Sequence, residues 1–150
     1  MKSEMRPGRV DWIGLRPGRR LPMLSCDQAE LSSEKGLMGD RYEGRSGSRH
    51  VTLIGAEDLI SIASFLGRPV VALDLRRNIV VRGINLLALK DRQFKLGGAV
   101  LEMTAECHPC SRMEEIFGTG GYNAVRGHGG ITARVLRSGR VEVGDPLTAL

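Results

Sequence analysis

A chain of 150 residues fits one domain, residues 1–150, and can bury a core without disulfide or metal staples. Hydrophobic residues at 41% and charged residues at 26% are the balance of a globular protein, while aromatics at 4% leave few rings for a base-stacking platform, so nucleic acid is not an expected partner. The net charge of +5 comes from arginines spread among glycine-rich segments rather than gathered in a tail, which suits local anion sites as well as plain solubility.

The first ten residues carry no apolar signal core, and no stretch approaches transmembrane length, so no membrane partner is expected. Three cysteines, an odd number, are expected as free thiols in a reducing cytoplasm.

In chain order, residues 9–15 read as a strand and 21–31 as a second, with Arg16-Pro17-Gly18 as the turn between them. Residues 35–48 form a glycine-rich charged loop, and 50–54 a short β-branched strand. Residues 56–66 are the clearest helix: Leu59, Ile60, Ile62, Ala63 and Leu66 fall mostly on one face, and Gly67 stands where a terminating glycine belongs. A strand is expected over 78–82, and two more over 93–96 and 99–104 around the Gly97-Gly98 turn. Then come a short helix over 111–117, a second glycine-rich loop over 118–130, and a hairpin of 131–136 with 140–143 around Ser138-Gly139. Many short strands and few helices predict a mainly β domain, a barrel or a distorted sandwich.

The most chemically informative stretch is Cys107-His108-Pro109-Cys110, followed by Ser111-Arg112-Met113-Glu114. Ser111 and Glu114 have capping-box spacing, which puts Cys110 just before a helix N-terminus, where the partial positive charge favours a thiolate. A C-x-x-C admits a redox dithiol, part of a zinc site, a single special thiolate at Cys110, or two unreactive cysteines. The dithiol reading wants βαβ units around the motif, and the zinc reading wants a second ligand pair; the sequence offers neither.

Two further groups could hold an anion. In a strand, Arg76 and Asn78 would project to one face and Arg77 to the other; a guanidinium fork beside an amide could hold a phosphorylated heterocycle. Gly39-Asp40-Arg41 with Arg49 and His50 could let backbone N–H groups and guanidiniums close over an anion, although on the residues alone a plain loop is the stronger reading and a lone histidine such as His50 is more often structural than a ligand. His128, in Gly127-His128-Gly129-Gly130, sits in a turn by default.

Taken in order, several segments resemble the MOSC domain family, related to the C-terminal part of molybdenum cofactor sulfurases. They are Gly36-Leu37-Met38-Gly39-Asp40-Arg41, His50-Val51-Thr52-Leu53-Ile54, Leu75-Arg76-Arg77-Asn78-Ile79-Val80-Val81, Phe94-Lys95-Leu96-Gly97, Pro109-Cys110 and Gly139-Arg140-Val141-Glu142-Val143-Gly144-Asp145. The resemblance implies a mainly β fold with a few short helices, a closed or distorted barrel. It implies a molybdenum–pterin cofactor whose metal is held by Cys110, the catalytic residue, with Arg76, Asn78, Arg41, His50, Arg49 and Arg112 as cofactor contacts. Pyridoxal phosphate is not expected.

The activity implied is reduction of a small N-hydroxylated substrate, such as a hydroxylamino base, with a separate electron-donor protein, since the chain shows no iron–sulfur or flavin motif. The alternatives are a non-enzymatic cofactor-binding or sulfur-carrier module using a Cys110 persulfide, and a dithiol oxidoreductase.

Overall fold

The computed structural model describes residues 4–45, 47, 49–109 and 112–150. Eleven strands and four α-helices follow in chain order: β1 Gly8–Leu15, β2 Leu24–Cys26, β3 Gln28–Ser32, β4 Gly36–Leu37, β5 Val51–Gly55, α1 Ala56–Leu66, α2 Ala72–Leu75, β6 Ile79–Arg82, β7 Gln93–Leu96, β8 Ala99–Glu106, α3 Arg112–Phe117, α4 Gly121–Val125, β9 Ile131–Arg137, β10 Gly139–Glu142 and β11 Pro146–Ala149. Among the described residues, seven strands close a barrel in the cyclic order β11-β7-β8-β9-β5-β6-β1, with β1 returning to β11 and β2 added at the side of β1. Strands β10, β3 and β4 form a separate small sheet.

Seven is an odd number, and this dictates the chain path. Each antiparallel neighbour reverses strand direction, so a closed ring holds an even number of antiparallel steps. The seventh step is the parallel pair β5–β6. A parallel pair needs a crossover of a dozen or more residues. Here α1 and α2 supply it and cover the outside of the barrel. The outer face of β5 is therefore buried as well, and all five of its residues are inaccessible.

The barrel interior is filled by Ile13, Leu53, Ile79, Phe94, Leu96, Leu101, Ile131 and Leu147, all fully buried. Each such side chain contributes about 1.5–3 kcal/mol relative to exposure. A second cluster lies outside the barrel, where Ile54 and Val80 meet Ile62, Leu75, Met113, Phe117 and Val125 from the four helices. Gly121 lets α4 touch α3: a Cβ there would lie 2.2 Å from the Met113 carbonyl oxygen.

The mainly β barrel and the helix over Ala56–Leu66 match the sequence reading, including Gly67 in the left-handed region at φ +69°. Ile60, however, points to solvent at 70% exposure. The single strand expected over 21–31 is two, parted at Asp27, because β2 pairs β1 whereas β3 pairs β10. The expected hairpin of β9 with β10 does not form. At Gly139 the chain passes so close to the Gly97-Gly98 turn that a Cβ would lie 2.3 Å from Gly98, and β10 is delivered to β3. The second glycine-rich loop contains α4, and the closing segment is β11, the strand that completes the ring.

Candidate functional site

Arg16 follows the last residue of β1 and is buried together with Asp40, from the glycine-rich loop, and Asn78, just before β6. The Arg16 fork donates from Nε to Asp40 Oδ1 at 3.1 Å and from Nη2 to Oδ2 at 3.0 Å, and the Arg16 backbone N–H donates to Oδ1 at 2.9 Å. Asn78 joins them: its Nδ2 donates to Asp40 Oδ1 and to the Gly14 carbonyl, while its Oδ1 accepts from Arg16 Nη2 and from the backbone and hydroxyl of Thr52. Burial pushes the Asp40 carboxyl up, but the Arg16 hydrogen bonds and charge and the Arg16 and Tyr42 backbone N–H groups outweigh it and hold it below the usual carboxylate range.

The strand-face geometry expected for Arg76 and Asn78 does not hold. Arg76 ends α2 in the left-handed region at φ 56°, and β6 begins only at Ile79. A two-residue period therefore does not relate the two side chains. Asn78 is fully buried and engages both ends of its amide within the protein.

In front of this buried hub five guanidiniums converge. Arg16, Arg41, Arg76, Arg77 and Arg112 line a concavity of about 200 Å³ with Tyr42, Leu75, Met113 and Ile116. Arg16 and Arg41 each stand 4.8 Å from the Tyr42 ring centroid. Arg76 donates to the Leu21 carbonyl and, at 2.9 Å, to that of Gly18. Burial, then the charges of Arg16, Arg112 and Arg41, lower its affinity for its proton. Arg112 Nε lies 3.9 Å from Glu115, beyond hydrogen-bond range. Asp40 offsets Arg16, and the rest leave a strongly positive concavity.

A larger cleft of about 510 Å³ adjoins it, and Arg77 and Met113 line both. Its other walls are Arg49, the end of β8 from Thr104 to Glu106, Cys107, His108 and Thr132. Between Met103 and Ala105 the register of β8 against β9 slips, and Thr104 and Thr132 share a hydroxyl hydrogen bond of 2.8 Å at the slip. Arg77 is aimed by bonds from Nε to the Gly129 carbonyl at 2.7 Å and from Nη1 to that of Leu75 at 3.0 Å. The Gly129-Gly130 pair is there for close approach. A Cβ on Gly129 would lie 2.4 Å from the Cys107 carbonyl oxygen, and one on Gly130, at φ +85°, 2.0 Å from that of Leu53.

The model of the MOSC domain family matches residues 34–148. This chain belongs to the MOSC domain family. It superposes on the YuaD protein of Bacillus subtilis with a TM-score of 0.86 at 20% identity, covering 96% of each chain. It superposes on YiiM of Geobacillus stearothermophilus at 0.74 and 17% identity, covering 95% of this chain and 75% of that one. For YiiM of Escherichia coli the values are 0.72 and 19%, covering 95% and 69%. The sequence matches no curated protein.

In this MOSC domain the site residues expected from sequence separate into three groups. Arg41, Arg76 and Arg112 gather in the arginine concavity, and Arg49 lines the larger cleft. Asn78 and His50 lie behind the surface: His50 is buried, and its Nδ1 accepts the Val135 backbone N–H at 2.9 Å, which fixes the neutral ring. Burial, then the charge of Arg134, holds His50 below its ordinary value. Cys110 and Ser111 lie outside the described residues. The described helix α3 begins at Arg112, directly after them.

Arg16 and Arg77 were not expected as site residues, and Cys107 was considered only as the partner of Cys110 in the C-x-x-C motif. Arg16 read as part of a turn, and Arg77 as the residue on the wrong strand face. Cys107 is buried in the cleft wall with its backbone N–H bonded to the Gly130 carbonyl at 2.8 Å. Burial pushes its thiol up, against the pull of Arg77, Arg49 and Arg16, so it stays protonated at neutral pH. Among the described residues no group of three or more His, Cys, Asp and Glu could hold a metal ion, and no helix is long and apolar enough to cross a membrane. His128 pairs with Asp58 at 2.8 Å and does not line either concavity.

MOSC domains are associated with the molybdenum cofactor, and the donor set here suits such a group. Guanidinium forks recognise phosphate, and the adjoining cleft lies within the size range of small-molecule sites.

Proposed function

We propose that this protein binds a molybdenum–pterin cofactor and reduces small N-hydroxylated compounds, taking electrons from a separate donor protein in the cytoplasm. The observation that carries this reading is the continuity of the five-arginine concavity with the cleft walled by Cys107 and His108, joined through Arg77 and Met113.

Arg41, Arg76, Arg77 and Arg112 would hold the cofactor's phosphate, with Arg16 fixed behind them by Asp40 and Asn78. Arg49 and Arg77 would stabilise negative charge in the larger cleft, and Cys110 would ligate the metal. The bound group would supply two-electron reduction and oxygen-atom removal. The chain's own part is to orient it, to set the field around it and to limit the access of water. The buried, protonated Cys107 thiol favours a single ligating cysteine over a dithiol pair, since an attacking thiol must ionise.

The test is genetic. A bacterial strain sensitive to hydroxylaminopurine should grow in its presence when it carries the wild-type protein or Cys107→Ala, and not when it carries Cys110→Ala. Equal rescue by Cys110→Ala would remove that residue from the mechanism.

A further inference from the structure

A second concavity adjoins the larger cleft at the end of β8. It encloses about 300 Å³ and shares the wall formed by Thr104, Ala105 and Glu106. Its remaining lining is Leu87 and Met103, which are apolar, with Lys90 and Asp91. Two carboxylates and one ammonium therefore line it, whereas arginines line the two concavities described above. The Glu106 carboxylate borders both cavities and makes no hydrogen bond or ion pair among the described residues. Asp91 is presented by a backbone in the left-handed region at φ 61°, two residues after the short 3-10 turn Leu86–Leu89 that supplies Leu87.

We infer that this groove is a binding site for a small apolar molecule bearing a protonated or N–H-rich head, with Glu106 as its specificity-determining residue. The apolar body lies against Leu87 and Met103, and the head donates to Glu106 at the junction with the larger cleft. The polarity sorts the ligands: an anionic group is drawn to the arginines, and a cationic or donor-rich one to this groove. Resting on the reading proposed above, the groove is where substrate lies while the arginine-lined cleft holds the cofactor.

The experiment is an NMR titration of the full-length protein with benzylamine and, separately, phenylacetate, repeated on Glu106→Gln and Leu87→Ser. Benzylamine should shift backbone amides at Leu87, Asp91 and Glu106, and phenylacetate should not. Glu106→Gln should weaken benzylamine about tenfold, the scale of one lost charged hydrogen bond. Leu87→Ser, at a half-exposed position, should weaken it with the charge intact. Equal shifts from both ligands, shifts confined to other surfaces, or unchanged affinity in Glu106→Gln would overturn the inference. Benzylamine binding without molybdenum in the protein leaves the groove standing and removes the cofactor reading; molybdenum and reductase activity without benzylamine binding do the reverse.

Discussion

Arg16 and Asp40 stand 24 residues apart in the chain and meet in a two-point grip of 3.1 and 3.0 Å, buried behind the arginine concavity. This ion pair is the brace on which a surface of like charges is built. Guanidiniums that repel one another stay convergent only if their supports are rigid. Asp40 offsets one charge, Asn78 ties the pair to β1 and β5, and the Gly18 and Leu21 carbonyls hold Arg76.

Breaking the brace from one side should be costly. Asp40→Ala leaves the Arg16 charge buried without its partner and should lower stability by about 3–5 kcal/mol. Arg16→Met combined with Asp40→Leu should recover much of that loss, because no buried charge remains. Urea unfolding of the three proteins measures it; a double variant as weak as Asp40→Ala would contradict the account.

Acid should unfold the protein in two stages. His50 and Asp40 both have lowered affinity for a proton in the fold, so the unfolded chain takes up protons first as pH falls. The stability contributed by neutral His50 is whole above its ordinary value of about 6.5 and is lost as pH falls through its lower folded value. That of ionised Asp40 is whole above about 3.9 and is lost below it. Thermal unfolding should show a first decline below pH 6.5 that His50→Gln abolishes. A midpoint unchanged from pH 7 to pH 5 in the wild type would refute the His50 assignment.

The arginine concavity should bind phosphate groups in a salt-dependent manner. Arg41→Ala and Arg112→Ala should each weaken inorganic pyrophosphate about tenfold or more, the scale of one charged hydrogen bond, with little change in unfolding temperature. Asn78→Ala should do the opposite and act first on stability, since it removes both halves of a buried amide. Calorimetric titration and thermal unfolding on the same samples separate the two effects.

Gly130→Ala should damage both fold and site. The left-handed backbone costs an alanine about 1 kcal/mol or more, and the new Cβ would press on the Leu53 carbonyl. Relief of that contact moves Gly129, whose carbonyl aims Arg77. Pyrophosphate affinity should therefore fall along with stability; a stable variant with unchanged affinity would show that Arg77 needs no such support.

The legible part of this fold is the part set by local rules. Strands bounded by glycine turns and the α1 helix with its Gly67 stop were visible because their signals lie within a few residues. Helices α2 and α4, with four and five residues, are too short to show a period. The partner of β10 is decided by a close approach of Gly139 to a turn some forty residues earlier, which no local pattern reports. At the site, Arg41 and Arg49 could be picked out because arginines in a glycine-rich loop suggest an anion, whereas Arg76 and Arg112 came in with the family resemblance, Arg76 also on a strand face that does not exist. Asn78 could not be told from a ligand contact, since its role depends on Asp40, Thr52 and Gly14 closing around it. Arg77 was hidden by the strand period assumed for residues that precede the strand.

The most direct measurement is the molybdenum and pterin content of protein produced in a cofactor-competent host, compared among wild type, Cys107→Ala and Cys110→Ala. The account predicts stoichiometric metal in the wild type and in Cys107→Ala, and its loss in Cys110→Ala. Metal absent from all three, with cofactor available to the host, would contradict it.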